Sequence, residues 1–335
     1  MTMTMTIRMR AATLAIVLAA GATCAGAEGG TLLFSSGFEQ GTALRPIAQG
    51  DCWATGCFQR IEGSDASTGF AWPPAIWGGG GLLFLLADAP VDAATIPDYF
   101  FHRIVSAMGR RGAPTRVLYS LTTQSGCCGA DGQLGGATAA NLLLAPLRED
   151  GDLYVSYWLK LQPEAVPVRA NAGLDPQDPQ HWRFVFSWKT GSPVGVDDGD
   201  YRVVLSIASW NRPGAPHPGR PYWDARGDNA AGADPNYVEF WRAENRDVAV
   251  PMGEWFKFEA FWHRSTGNDG RIWMAVNGQV IVDRLGPNRI ARDINRIALS
   301  GVYSGEPYPL YQWLDDVQIW SGFPPECADP PCAPH

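Results

Sequence analysis

The chain has 335 residues, 46% of them hydrophobic and 18% charged, with 38 Gly, 26 Pro and 14 Trp. A chain this apolar is not intrinsically disordered, and so much Gly and Pro excludes a helical bundle or a coiled coil. A formal charge of −8 argues against a nucleic-acid binder, which would carry a basic stripe.

Taken in chain order, residues 1–27 read as a secretory signal. Arg8 and Arg10 precede the apolar run AATLAIVLAA, and Ala25-Gly26-Ala27 offers a small-x-small cleavage site before Glu28. The run is too short and wrongly flanked for a membrane anchor, and no later segment reaches about 18 uninterrupted apolar residues. The expectation is a secreted or periplasmic protein, monomeric and without a membrane partner. One domain would span 28–322, followed by a Pro/Cys-rich tail over 323–335. Apart from Cys24, the cysteines are Cys52, Cys57, Cys127, Cys128, Cys327 and Cys332. Their spacing suggests local staples, Cys52–Cys57 and Cys327–Cys332, with other connectivities open. Adjacent Cys127 and Cys128 form a vicinal bridge or bond elsewhere. Zinc is the disfavoured alternative, because the histidines are scattered and no CxxC pair exists.

Val91–Met108 is the one candidate helix after the signal. The runs that follow are aromatic-rich, alternate in polarity and are bounded by Gly, Pro, Asn and Asp, which marks strands. They are Leu153–Leu161, Trp182–Lys189, Tyr201–Trp210, Tyr237–Trp241, Trp255–His263, Arg271–Asp283, Arg296–Tyr303 and Trp313–Trp320. Asn277-Gly278 predicts a tight hairpin, since both residues tolerate the positive φ it demands. Between Trp210 and Tyr237 lies a connection with five prolines and the Tyr222-Trp223 pair. Its length and aromatics predict an ordered loop beside a binding groove. The pattern as a whole is all-β: an antiparallel two-sheet β-jelly roll in one domain.

Three stretches resemble the jelly-roll polysaccharide lyases, the concanavalin A-like group around heparin lyase I and the alginate and glucuronan lyases. FSSGFEQGT resembles their first strand, and GEWFKFEAFWHRSTGNDGRIWMAVNGQVIVD their Trp-led hairpin. SGVYSG followed by YQWLDDVQIW resembles their catalytic K-x-G-x-Y strand and closing strand. The resemblance implies β-elimination on a uronic-acid polymer, with no organic cofactor and a polysaccharide, anionic in character, as partner. Such chemistry needs a group that neutralises the carboxylate, a base for the proton beside it, and an acid for the leaving oxygen. By resemblance Tyr303 is the base and acid. The family's Q-x-H strand corresponds to Ser187-Trp188-Lys189, so Ser replaces Gln and Lys189 replaces His. Arg116 echoes the family's R-x-E-x-R strand, with Leu118 where Glu would stand. His181 and His263 are the remaining proton-transfer or binding candidates. Trp188, Trp210, Tyr222 and Trp223 are expected to be the exposed, sugar-facing rings. The resemblance also implies a structural calcium tying the first strand to the last through Glu39, Asp315 and Asp316; no EF-hand spacing is present.

Two other functions fit an all-β sandwich. A glycan-binding protein without activity needs only the sheets, the aromatics and calcium. A glycoside hydrolase needs two carboxylates flanking a bond, for which Glu239 and Glu244 are the nearby pair, without the E-x-D-x-E pattern. Convergence of Tyr303, Lys189 and Arg116 on one concave face favours the lyase; scatter favours the binding protein.

Overall fold

Strands that alternate apolar and polar residues bury their apolar face only by stacking against a second sheet. The computed structural model does this. It describes residues 29–53, 56–72, 77–86, 92–123, 138–146, 152–164, 181–190, 201–209, 221–228, 238–288, 294–302 and 309–327. The strands are β1 (Leu32–Ser36), β2 (Thr42–Leu44), β3 (Cys52–Trp53), β4 (Gly56–Ser64), β5 (Ala71–Trp72), β6 (Trp77–Leu86) and β7 (Phe100–Met108). There follow β8 (Pro114–Thr122), β9 (Thr138–Pro146), β10 (Leu153–Leu161), β11 (His181–Thr190), β12 (Arg202–Ser209) and β13 (Pro221–Asp228). The last are β14 (Glu239–Asn245), β15 (Trp255–His263), β16 (Arg271–Val276), β17 (Gln279–Leu285), β18 (Ile294–Val302) and β19 (Leu310–Trp320). No helix among the described residues is long and apolar enough to cross a membrane.

The strands form an antiparallel β-jelly roll of two sheets. The eight-stranded sheet runs β17-β16-β15-β10-β19-β8-β7, with β1 also paired to β19. The eleven-stranded sheet runs β14-β13-β12-β11-β18-β9-β6-β4-β2, with β3 and β5 paired to β4. Aromatic rings fill the space between the sheets. Phe186 meets Phe258 at 5.4 Å, Trp188 meets Trp262 at 4.9 Å and Trp223 meets Phe256 at 6.1 Å. The Tyr157 hydroxyl donates across the gap to the Val185 carbonyl at 3.1 Å.

One end of the core holds a fully buried cation. Arg183 donates to Gln162 Oε1, Gln312 Oε1 and the Tyr311 carbonyl, all neutral acceptors. Burial pulls its guanidinium down to about 9. The Asn277-Gly278 turn joins β16 to β17 with φ of +49° and +75°, as the hairpin requires. Cys52 and Cys57 form a disulfide across the β3–β4 pair. Cys327 is disulfide-bonded as well, to a cysteine outside the described residues.

One expectation about elements is corrected and another narrowed. The connection between Trp210 and Tyr237 is not an ordered loop throughout, because β13 lies within it and pairs with both β12 and β14. A Pro at the first residue of a strand costs no ladder bond. Val91–Met108 holds only a four-residue helix, Ile96–Tyr99, before β7. Beyond β19, Phe323 stacks on Phe261 at 4.1 Å and the Gly30 amide donates to its carbonyl. The start of the tail therefore seals the outer surface of the eight-stranded sheet over Tyr154, Phe261 and Trp273. Residues 1–28 and 328–335 lie outside the described residues.

Candidate functional site

Alternation decides which side chains β11–β14 offer to a ligand. Val203, Leu205, Ile207, Trp223 and Ala225 point into the core. Their neighbours Arg202, Ser206, Asp224, Arg226 and Asp228 therefore occupy the outer face of the eleven-stranded sheet. Register aligns these positions in rows across the strands. One row is Arg296 on β18, Lys189 on β11, Arg202 on β12, Asp228 on β13 and Glu239 on β14. The next is Ser187, Val204, Arg226 and Arg242, and beyond it Phe184, Ser206, Asp224 and Glu244.

On β12 and β13, and at Arg242 and Glu244 on β14, the charges in these rows pair with one another. Asp228 is fully buried and accepts from Arg202 Nε at 2.7 Å and Nη2 at 3.1 Å, with Arg226 Nε 3.2 Å away. Asp224 is also buried and takes a bidentate fork from Arg242 at 2.8 and 3.1 Å. Burial pushes the Asp224 carboxyl up against the pull of Arg242. Glu244 is held by Arg246 at 2.7 Å and faces Arg242 at 3.4 Å. Arg202, Arg226 and Arg242 stay a quarter to a third exposed while the carboxylates of Asp228 and Asp224 are covered, and Arg246 and Glu244 are both partly exposed. The face therefore presents cations outward, although the whole chain is acidic. Across β11 and β18 the same face carries the half-buried rings of Trp53, Phe58 and Phe184 around Ala298. The arrangement can hold an anionic group against guanidinium forks and a sugar ring against aromatic edges.

The residues singled out from sequence fare unevenly. Lys189 occupies the row just described, paired with Arg202 and Arg296. Tyr303 lies outside the described residues; β18 ends one position before it, at Val302, which is buried in the core. Trp210 also lies outside them. His181 begins β11, eight residues from Lys189, so their backbones stand roughly 26 Å apart along the strand. Arg116 belongs to β8 in the other sheet, and its guanidinium donates to the Glu39 and Thr42 carbonyls at 2.9 and 3.0 Å. It ties two segments of backbone together and does not converge with Lys189, which corrects the expectation of one shared face and, by the criterion set from the sequence, counts towards a glycan-binding protein.

The expected set of exposed rings is corrected as well. Trp188 and Trp223 are fully buried between the sheets. Tyr222 is on the outer side but buried, capped by the Arg246 guanidinium 4.0 Å from its ring centre. His263 stands on the outer face of the other sheet, with Nδ1 2.6 Å from Asp152 and Nε2 3.7 Å from Asp269. The Asp152 hydrogen bond above all holds its pKa above the usual imidazole value. Sequence reasoning missed the arginine rows. Their signal is the D-A-R-G-D spacing at Asp224, Arg226 and Asp228, which places three charges on one strand face.

At the other end of the molecule Glu39, Asp315 and Asp316 gather beside Gly37. A Cβ at Gly37 would lie 3.1 Å from Asp316 Oδ1 and 3.4 Å from Asp315 Oδ1. Burial first, then the facing Asp316 and Glu39, push the Asp315 carboxyl up to about 8. Thr115 donates to Glu39, and Arg110 pairs with Asp316 at 2.8 Å. Among the described residues no group of three His, Cys, Asp or Glu stands close enough to hold a metal as it is.

No protein-family profile matches the chain, and no curated protein matches it by sequence. Solved structures similar to it include jelly-roll polysaccharide lyases. The alginate lyase Aly36B is 14% identical, with a TM-score of 0.43 over 84% of this chain and 97% of the other. The endo-β-1,4-glucuronan lyase of the fungus Trichoderma reesei is 13% identical, with a TM-score of 0.41 over 66% and 87%. An alginate lyase from Chlorella virus is 11% identical, with a TM-score of 0.41 over 65% and 88%.

Proposed function

We propose that the chain is an exported, monomeric polysaccharide lyase that cleaves a uronate-containing glycan by β-elimination on the outer face of the eleven-stranded sheet. The observation that carries the reading is the cationic face: Arg202, Arg242 and Arg246 hold partly exposed guanidiniums on their acids beside half-buried rings, on the sheet whose strand β18 leads into Tyr303. Arg246, whose guanidinium lies over Tyr222 in register with Trp182, and Arg242 beside it stand towards the end of the face where β18 reaches Val302, and they take the charge-neutralising role first expected of Arg116. A guanidinium fork on the substrate carboxylate makes the adjacent C–H more acidic. Tyr303 removes that proton, the electron pair becomes the carbon–carbon double bond, and the glycosidic C–O bond breaks. The departing oxygen takes a proton back from Tyr303; Lys189, level with Arg296 and about 20 Å along the sheet from Val302, is too far away to supply it. Pairing with Asp224 pre-sets the Arg242 fork, so little side-chain freedom is lost on binding. The Cys52–Cys57 disulfide supports export, since such bonds persist in oxidising compartments.

The test is the mass of the products formed from alginate, glucuronan, pectate, heparin and hyaluronan. Elimination gives fragments with an unsaturated end, lighter by one water than hydrolysis products. Fragments carrying the added water would instead show a hydrolase and sink the reading.

Calcium at Glu39, Asp315 and Asp316 belongs to the same proposal. Support comes from three carboxylates around a glycine and from the elevated Asp315, a group that gains from a nearby cation. The expected result is a higher melting temperature for the chain in millimolar calcium and no such rise for Asp315→Asn. A wild-type melting temperature indifferent to calcium removes the ion from the account.

A further inference from the structure

The outer face of the eight-stranded sheet carries a row of side chains that the proposed reaction does not use. In register across five strands stand Arg103 on β7, Tyr119 on β8, Trp313 on β19, Lys160 on β10 and Trp255 on β15. Four strand spacings of about 4.8 Å make the row about 19 Å long. Its rings are half-buried, while the alternate positions Leu118, Leu159, Phe256 and Leu314 point into the core. Tyr119 and Trp313 lie 5.5 Å apart, and Tyr311 meets Trp313 edge-on at the same distance.

Cations interleave with the rings. Lys160 Nζ stands 5.4 Å from the Trp313 ring centre, and Arg110 lies 4.5 Å over Trp158. The β7–β8 hairpin bends across the sheet to form a wall. Trp255 Nε1 donates to the Met108 carbonyl at 2.9 Å, and Arg110 in the same hairpin pairs with Asp316. Acids also stand nearby: Glu164 accepts from the Tyr311 hydroxyl, and Glu259 pairs with Lys257.

We propose that this row is a second glycan-binding face, which takes an extended carboxylated polysaccharide laid across the strands. It lies on the side of the sandwich opposite the face proposed for the reaction. The chemistry selects this occupant. A protein partner favours an interface whose centre is depleted of charge, whereas Lys160 sits mid-row and Arg103 at its end. A carboxylated chain offers both what the rings take, the apolar C–H faces of its sugars, and what the cations take, its carboxylates.

The test is retardation of the full chain in native gels cast with sodium alginate, polyglucuronate or neutral dextran. The Tyr303→Phe form is run in parallel so that cleavage cannot deplete the polymer. The expected result is retardation by the two carboxylated polymers and not by dextran. Replacing both Tyr119 and Trp313 by Ala should weaken binding roughly ten-fold or more, while Trp313→Phe keeps most of it. Lys160→Gln, a surface change that keeps the rings, should weaken binding and flatten its salt dependence. Wild-type affinity in a folded Tyr119→Ala/Trp313→Ala chain, or in Lys160→Gln, overturns the proposal. So does a wild-type chain that no polymer retards, or that dextran retards as strongly as alginate.

Discussion

Trp188→Ala is expected to destabilise the chain by about 3–5 kcal/mol, the usual cost of emptying a buried Trp site. The ring is fully buried. It meets Phe186 edge-on at 4.5 Å and Trp262 at 4.9 Å, so its removal leaves both sheets facing a void. For a domain of this size the melting temperature should fall by on the order of 10 °C. Urea unfolding followed by Trp fluorescence reads the loss directly. If Trp188 were a sugar contact instead, the variant would keep its unfolding midpoint and lose only glycan affinity.

Tyr303→Phe should lower the elimination rate by roughly a hundred- to ten-thousand-fold, the span of a lost general acid–base group. Phe keeps the ring and removes only the hydroxyl that carries the proton. Substrate affinity should therefore change little, and the loss should appear in kcat and not in KM. A variant with wild-type kcat on the preferred polymer would place the proton transfer on another residue of the face.

Much of the sandwich is legible in the sequence. Leu153–Leu161 and Trp255–His263 match β10 and β15 residue for residue. Both have one apolar face and one mixed face, the pattern that fixes strand and register together. β13 was hidden because its outer face is charged and its inner face is Trp223, Ala225 and Gly227, so small residues and charges mimic a loop. β7 was obscured because Phe100, Phe101, Ile104 and Val105 repeat at a spacing that also suits a helix, although β-branched residues favour a strand.

The site was legible only in part, for a related reason. Alternation tells that Phe186 and Trp188 share a face, but β11 carries aromatics on both sides, Phe184 being on the other. Which side meets the core is decided by Phe258 and Trp262, far away in sequence. Arg116 reads like a catalytic arginine until its two carbonyl acceptors are seen. Arg202 drew no attention in sequence because its partner, Asp228, lies on a strand that was not foreseen.

The central claim is that the face bearing Lys189 and Arg202 performs elimination on a carboxylated glycan. The most direct measurement is ultraviolet absorbance during incubation of the chain with alginate, glucuronan, pectate, heparin and hyaluronan in turn. Each elimination leaves a double bond conjugated to the carboxylate, so absorbance rises only if that bond forms. The account predicts a steady rise with at least one polymer, lost in Tyr303→Phe. Flat traces across the panel from a chain that still binds one of these polymers would contradict it and leave a glycan-binding protein.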